Sequence, residues 1–496
     1  MDLSTLFGQD ETGKDLFIVI EVNGRGPMSQ ETTRMTVPGH SGSYYQSRSS
    51  PERILEVRFF LNGQSLSGLQ DKIDRLNDIL NVDEPVPIIF ADQPDKTFYG
   101  ILDGDADWQE IQDKGIGTIT FVCPDPHKYG REKTQTINDP EGEEDDASPI
   151  VNNEGTTDTY PIFRAEVLKP LTFLQIVKDD AYMQVGQPIS DVDTEVDQYE
   201  RVLSDNLSSL SGWTALPGGT VLQGGIVGGK MDVKLSSSGE PFAFYASSYG
   251  TNVNGYVGPA VKRALDTALQ DFRVAINASA LNGQGGIGKI FLYLLDDQDR
   301  VIGFLCMEDI WSDIQRNRAQ IFLGESPNIH GLINSVGVNF NTVYNNFEGV
   351  LRLDRIGNQF YAYVAQVDPV TGFHHGRYVL PVYTDTAGLY QQPLAQVMIY
   401  IAKYKSFDTF DITANDLSVF KINDVSANQV PTIANSGDIL TFDHQKKLLL
   451  SNGDPGLMQA KDFGATFFPF AKGQNQLLVN PPDAIKLTAQ WRGADL

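Results

Sequence analysis

The chain has 496 residues, 64 of them acidic and 38 basic, for a formal net charge of −26. That excess opposes unassisted nucleic-acid binding, in which Lys and Arg must neutralise phosphates, and no window of 18 apolar residues offers a membrane span. At about 150 residues per domain the length suggests about three domains, and 46 Gly, 25 Pro, 27 Phe and 19 Tyr favour short strands and turns over helix bundles.

From the N-terminus, MDLSTLFGQDETGKD has neither the basic nor the apolar region of a signal peptide, so cytoplasmic synthesis without one is expected. Polar and apolar positions then interleave with period two over 15–22, 53–61, 86–90, 98–102, 106–111 and 117–122, the pattern of half-buried strands. Between them Leu66, Leu69, Ile73, Leu76, Ile79 and Leu80 recur at spacings of three and four, which predicts one helix over 65–81 docked on a β domain. Asp103, Asp105 and Asp107 have calcium-loop spacing, but Trp108 stands where the loop needs Gly and Lys114 where it needs Glu, so a turn between strands is expected. Residues 124–159, with Pro124, Pro126, DPEGEEDD and NNEGTTDT, read as a linker or long exposed hairpin, their acids as solvated charge.

A strand-rich stretch over 160–183 precedes a third unit, residues 205–422, with strands expected over 272–277, 289–295, 301–307, 319–323, 335–340, 349–355, 359–366 and 396–404. Eight or more strands at such spacing mean a sandwich or jelly roll. Within it, Arg355-Ile-Gly357-Asn-Gln-Phe360-Tyr-Ala-Tyr363 forms a hairpin turning at Gly357-Asn358 and resembles a hairpin of concanavalin-like lectin and glycan-binding sandwiches. Sugars are held by aromatic rings and by hydrogen-bonding side chains, and Trp311, Tyr361, Tyr363, His374, His375 and Arg377 are the candidate carbohydrate-binding residues, with Tyr361 and Tyr363 on one strand face. Trp213 reads as core.

No catalytic residue, metal site or cofactor is expected. Glycoside hydrolysis needs two carboxylates across the scissile bond; Asp296, Asp297, Asp299, Glu308 and Asp309 cluster at turns without an E-x-D-x-x-E strand pattern. G-x-S-x-G, H-E-x-x-H and P-loop motifs are absent, the six histidines are dispersed, and Cys123 and Cys306 fall in different units, which argues for no disulfide framework.

The last sixty residues supply strands over 438–443, 447–451, 466–470 and 485–491, too few to close a core, so their partners are expected upstream in 160–183. The order Gly437-Asp438 to Asp443, Leu450-Ser-Asn452-Gly453, Phe467-Phe468-Pro-Phe-Ala-Lys-Gly473-Gln-Asn475 and Trp491-Arg492 resembles the C-terminal galectin-like sandwich of siphophage distal tail proteins. Asn152-Asn-Glu-Gly155-Thr with Pro161 is similar to the opening of that domain. Pro38-Gly39-His-Ser-Gly42 with Tyr44, and Phe121-Val-Cys123-Pro-Asp-Pro126, resemble the family's ring-forming domain, with one departure at His127-Lys128-Tyr129, where an aromatic often follows the Asp-Pro directly.

The resemblance implies a mainly-β fold in three parts: residues 1–130 a ring-forming hub domain, 131–195 plus 431–496 a split galectin-like sandwich, and 200–425 an inserted concanavalin-like sandwich. It also implies a homo-hexameric ring in the virion tail tip or baseplate, between tail tube protein and the tail-tip or tail-associated lysin protein, with receptor-binding proteins as further partners. Host cell-wall saccharide is the expected ligand of the insertion, with no nucleic acid or membrane insertion. The alternatives are a structural hub whose insertion docks other baseplate proteins, and a cell-wall hydrolase.

Overall fold

A computed structural model describes residues 16–104, 107–111, 114–142, 147–190, 193–251, 254–337 and 342–496. Asp105 of the aspartate triplet, acids 143–146 and the first fifteen residues therefore lie outside the described residues. The fold is mainly β.

In the N-terminal unit, Arg53–Asn62 shows what period two does: Leu55, Val57, Phe59 and Leu61 enter the core while Glu56 and Arg58 face out. It pairs without a bulge with Lys114–Cys123, from Arg53↔Cys123 to Asn62↔Lys114, and on its other edge with Ile18–Asn23. The helix Leu66–Leu80 lies over this core through Leu69, Leu76, Ile79 and Leu80. Ser65 caps it, its hydroxyl accepting from the Gly68 amide at 3.0 Å. Apart from this body stands a two-stranded hairpin, Glu31–Met35 with Tyr44–Ser49, in which every residue is exposed.

The stretch read as a linker is different. Lys128–Asn138 is a full strand that touches the N-terminal sheet at Thr97↔Tyr129 and runs along the final strand Ile485–Asp495. Only Ile137 in it enters a core, so its ladder is held by backbone hydrogen bonds that leave no apolar periodicity to read.

The final strand continues into one layer of a sandwich, followed by Ile162–Val167, Ile439–Asp443 and Leu448–Ser451. The opposite layer runs Ile150–Asn153, Gly473–Asn480, Phe173–Lys178, Ala181–Gly186. Both layers thus interleave strands from before residue 190 with strands from after 438, the last strand of each layer lying beside one from its own half. Phe163, Leu174, Ile176, Leu440, Phe442, Phe470 and Leu487 fill the space between. The strand expected over 466–470 is absent: Phe468 and Phe470 are buried, but Pro469 interrupts and only the bridge Thr159↔Phe470 forms, while Gly473–Asn480 takes the strand's place.

Between these halves lies a second, larger sandwich. Its first sheet runs Lys230–Leu235, Pro241–Ser248, Asp411–Ile422, Phe272–Leu281, Phe347–Ile356, Gln359–Val367, His374–Val379. The second runs Val221–Leu222, Gly225–Val227, Tyr256–Gly258, Leu394–Tyr404, Gly288–Leu295, Val301–Asp309, Arg318–Glu325, Asn328–Ser335. The last of these replaces the strand expected from 335 to 340, of which 338–340 lie outside the described residues. Trp213 belongs to the core between the sheets, its indole donating to Asp205 at 2.9 Å. Where the chain enters and leaves this sandwich, Thr194–Val196 and Gln429–Pro431 pair in parallel, and Tyr199–Asp205 then pairs with Asp411–Ile422.

Candidate functional site

The six expected carbohydrate-binding residues separate. Tyr361 and Tyr363 share the outer face of the first sheet, on the strand that follows the Gly357 turn, where φ is +59°. Tyr361 is 37% exposed, and its hydroxyl donates to Gln359 at 2.9 Å. Tyr363 is only 4% exposed; its hydroxyl lies 2.8 Å from His374 Nδ1, and the Arg352 guanidinium sits 4.6 Å above its ring. His375 and Arg377 are exposed, His375 opposite Gln366 and thus on the other side of the pleat from Tyr363. Trp311 is 47% exposed but follows Val301–Asp309 in the other sheet.

The buried members of this group meet the split sandwich. Arg352 Nη1 is 2.8 Å from Asp454 Oδ2, the His374 amide donates to the Gly453 carbonyl at 3.3 Å, and Arg201 reaches Asp438 at 3.5 Å. Gly453 approaches so closely that a Cβ there would collide with the Gly372 carbonyl oxygen. Burial holds the His374 imidazole below its usual range, hence neutral at pH 7, and pushes the Tyr363 phenol up. Burial opposes ionisation of Asp454, but Arg352 and the Gly456 amide outweigh it and keep the carboxyl below the ordinary range. Tyr363 and His374 therefore sit in a joint between two sandwiches, with Tyr363 buried and His374 half-buried.

Four of the five carboxylates considered for hydrolysis are tied into the scaffold. Asp309 accepts from Asn282 Nδ2, the Trp311 amide and the Arg316 amide at 2.7, 2.9 and 2.8 Å, which fixes the loop that carries Trp311. Glu308 is paired with Arg318. Asp296 accepts from the Gln298 and Arg300 amides and from Arg300 Nε, and Asp299 is bound by Lys262 and Gln396. Burial disfavours the charged form of Asp296, but the hydrogen bonds from Arg300 and Gln298 prevail; for Asp299 the Lys262 bond leads, and both carboxyls stay below the ordinary range. A general acid at neutral pH needs the opposite shift.

The outer face of the second sheet is built differently. Gly288–Leu295 is buried on both sides: Ile290, Leu292 and Leu294 face the inner core, while Phe291, Tyr293 and Leu295 lie on the outer side with Phe304, Met398 and Tyr400. Phe291 stacks on Tyr293 at 4.9 Å, and Phe304 on Phe322 at 5.2 Å. The segment around Leu216–Gly225 crosses this floor, with the Gly224 amide donating to the Tyr293 hydroxyl at 3.1 Å. Beside the crossing are two cavities of about 370 and 430 Å3, both bordered by Val301 and Glu325. Tyr390 and Gln223 from two loops and Glu325 from the end of Arg318–Glu325 line them, and no short-range pattern in the sequence marks these residues.

A family model for the phage tail protein RIFT-related domain matches residues 11–123. The distal tail protein of Bacillus phage SPP1 is 36% identical over 158 residues, which are 32% of this chain and 59% of that relative, so the chain spans less than two thirds of its length. The crystal structure of SPP1 Dit shows 30% identity over 35% of this chain and 72% of that one, with a TM-score of 0.30. The CBM2 module of the evolved Dit of Lactobacillus casei BL23 phage J-1 shows 13% identity over 47% of this chain and 100% of that one, with a TM-score of 0.38. With both TM-scores below 0.5, the 36% identity to the SPP1 distal tail protein is what carries the relation.

Proposed function

We propose a function from one premise: the chain belongs to the siphophage distal tail protein family. It is a structural hub of the tail of a long-tailed bacteriophage. Residues 1–130 form a homo-hexameric ring that joins the tail tube to the tail-tip or tail-associated lysin protein. Residues 131–195 with 431–496 form the split galectin-like sandwich, and the module 200–425 binds host cell-wall saccharide during adsorption. The 36% identity to the SPP1 distal tail protein carries this reading.

The N-terminal surface supports the ring. Ile18 and Ile20 on the edge strand and Ile54 beside it are exposed, and the projecting hairpin exposes Met35, Val37, Tyr44 and Tyr45. A free sheet edge with an apolar face is an aggregation hazard for a monomer, and a closed ring with heterologous contacts removes it. Six copies of a module with weak single-site affinity gain by effective concentration, since each later contact is nearly intramolecular.

Electron microscopy and mass photometry of the purified chain test this. A six-subunit ring with peripheral lobes is expected, and deletion of residues 31–49 should shift the mass to the single chain. A full-length chain that stays monomeric at micromolar concentration rules the ring out.

A further inference from the structure

The two cavities flanking Val301 and Glu325 have a construction that the joint around Tyr363 lacks. Their volumes, about 430 and 370 Å3, lie in the roughly 300–1,000 Å3 span of small-ligand pockets. The shared border makes them one cleft along the second sheet, with Thr220 and Gln223 at one end, Glu325 in the middle, and Asn328, Tyr390 and Gln392 at the other.

Its walls are rigid for a physical reason. Asp296, 1% exposed, binds the turn 296–300 through two amides and Arg300 Nε. Asp385, 2% exposed, does the same for the opposite loop: it accepts from the Leu389 amide at 3.1 Å, the Tyr390 amide at 2.8 Å and Gln391 Nε2 at 2.9 Å. Arg355, itself buried, secures the same loop through the Gln392 carbonyl and Gln391 Oε1 at 2.8 and 2.9 Å. A buried carboxylate holding each wall is an arrangement that pre-organises a site, because the ligand need not order the loops.

The charge of the lining selects the ligand. Arg300 is paired with Asp296 and Lys262 with Asp299, which leaves Glu325 without an ion pair among the described residues. A phosphate-bearing polymer meets an uncompensated carboxylate here, whereas a polyol meets amides, hydroxyls and a carboxylate that accept and donate hydrogen bonds, beside the ring of Tyr390 and apolar Leu222, Val301 and Met398.

We propose that this cleft, and not the Tyr361 face, is the seat for a short stretch of uncharged cell-wall oligosaccharide, an inference that rests on the saccharide reading above. The test is equilibrium binding of the full chain to an array of uncharged rhamnose-, glucose- and galactose-containing wall fragments alongside glycerol-phosphate teichoic acid. Wild type is expected to hold at least one uncharged fragment more tightly than teichoic acid. Thr220→Trp, which fills one end, and Tyr390→Ala should each weaken that binding at least about tenfold, while Tyr361→Ala leaves it within about twofold. If Tyr390→Ala fails to fold, Thr220→Trp decides. Full affinity in Thr220→Trp with loss in Tyr361→Ala overturns the seat but keeps the saccharide function. Preference for teichoic acid overturns the charge argument and the seat with it, and a wild-type chain that binds no fragment overturns the saccharide reading itself.

Discussion

His444 is wholly buried among aromatic rings in the split sandwich, edge-on to Phe163 at 5.2 Å and Phe468 at 4.4 Å. Its Nδ1 lies 2.9 Å from both the Phe468 amide and the Phe468 carbonyl oxygen, and its Nε2 has no partner among the described residues. Burial pulls its pKa from 6.5 to about 4, against the opposing hydrogen bond that the ring can donate to the Phe468 carbonyl. Between those values the unfolded chain binds the proton and the folded chain does not, so stability is full above pH 6.5 and is lost as pH falls toward 4, by on the order of 3 kcal/mol. His444→Gln, which cannot charge, should flatten this decline. Urea unfolding followed by Trp491 fluorescence, with the other tryptophans replaced by Phe, measures it; equal slopes in both proteins over pH 4–6.5 discard the idea. None of this was legible in the sequence, where six dispersed histidines argue only against a metal centre. The same limit applies to Tyr363. Its spacing from Tyr361 correctly gives a shared strand face, but what covers that face is set by Asp454, ninety residues away.

Elements whose stability is local were the legible ones. The helix follows from its apolar spacing and from Ser65, whose cap leaves a specific expectation: Ser65→Ala should lower the stability of the N-terminal unit by about 1 kcal/mol, and Ser65→Asn should change it little. Thermal unfolding of the two variants checks this, and a loss in both would point to packing instead of capping. Strands that bury one face were legible too, as Arg53–Asn62 shows. Strands without a one-sided burial contrast show no period of two to read. Gly288–Leu295, expected as a strand over 289–295 and found as one, is covered on both faces and reads as a continuous apolar run. Lys128–Asn138 is the reverse case, with almost no side chain in a core and its pairing fixed by a strand more than 340 residues later.

At the scale of the whole molecule, the question is whether the inserted sandwich swings on its linkers or is fixed. The split in the C-terminal sandwich is visible in the sequence as a shortage of strands, and a domain opened by an insertion requires the two ends of that insertion to emerge together. Thr194–Val196 and Gln429–Pro431 lie side by side, and the ladder continues into the sandwich through Tyr199↔Ile422. A paired linker resists bending, yet two short strands alone are a weak hinge brace. The joint supplies the rest: Arg352 to Asp454 at 2.8 Å, Arg201 to Asp438 at 3.5 Å, and the close backbone approach of Gly453 to Gly372. The Arg352 pair is mostly shielded from water, and a charge-assisted hydrogen bond of this kind contributes about 1.5–3 kcal/mol, whereas the longer, more exposed Arg201 pair contributes about 0–1 kcal/mol. Arg352→Ala with Arg201→Ala should therefore free the insertion without unfolding it. Spin labels on the exposed residues Val370 and Phe463, one on each sandwich, report this as a distance distribution that is narrow in the wild type and broad in the double variant. A distribution already broad in the wild type, or unchanged in the variant, rejects the rigid joint. In the ring proposed above, rigidity would decide how the proposed clefts are presented: modules held at one angle would meet a flat cell wall together, so the effective-concentration gain would depend on this joint as much as on the cleft.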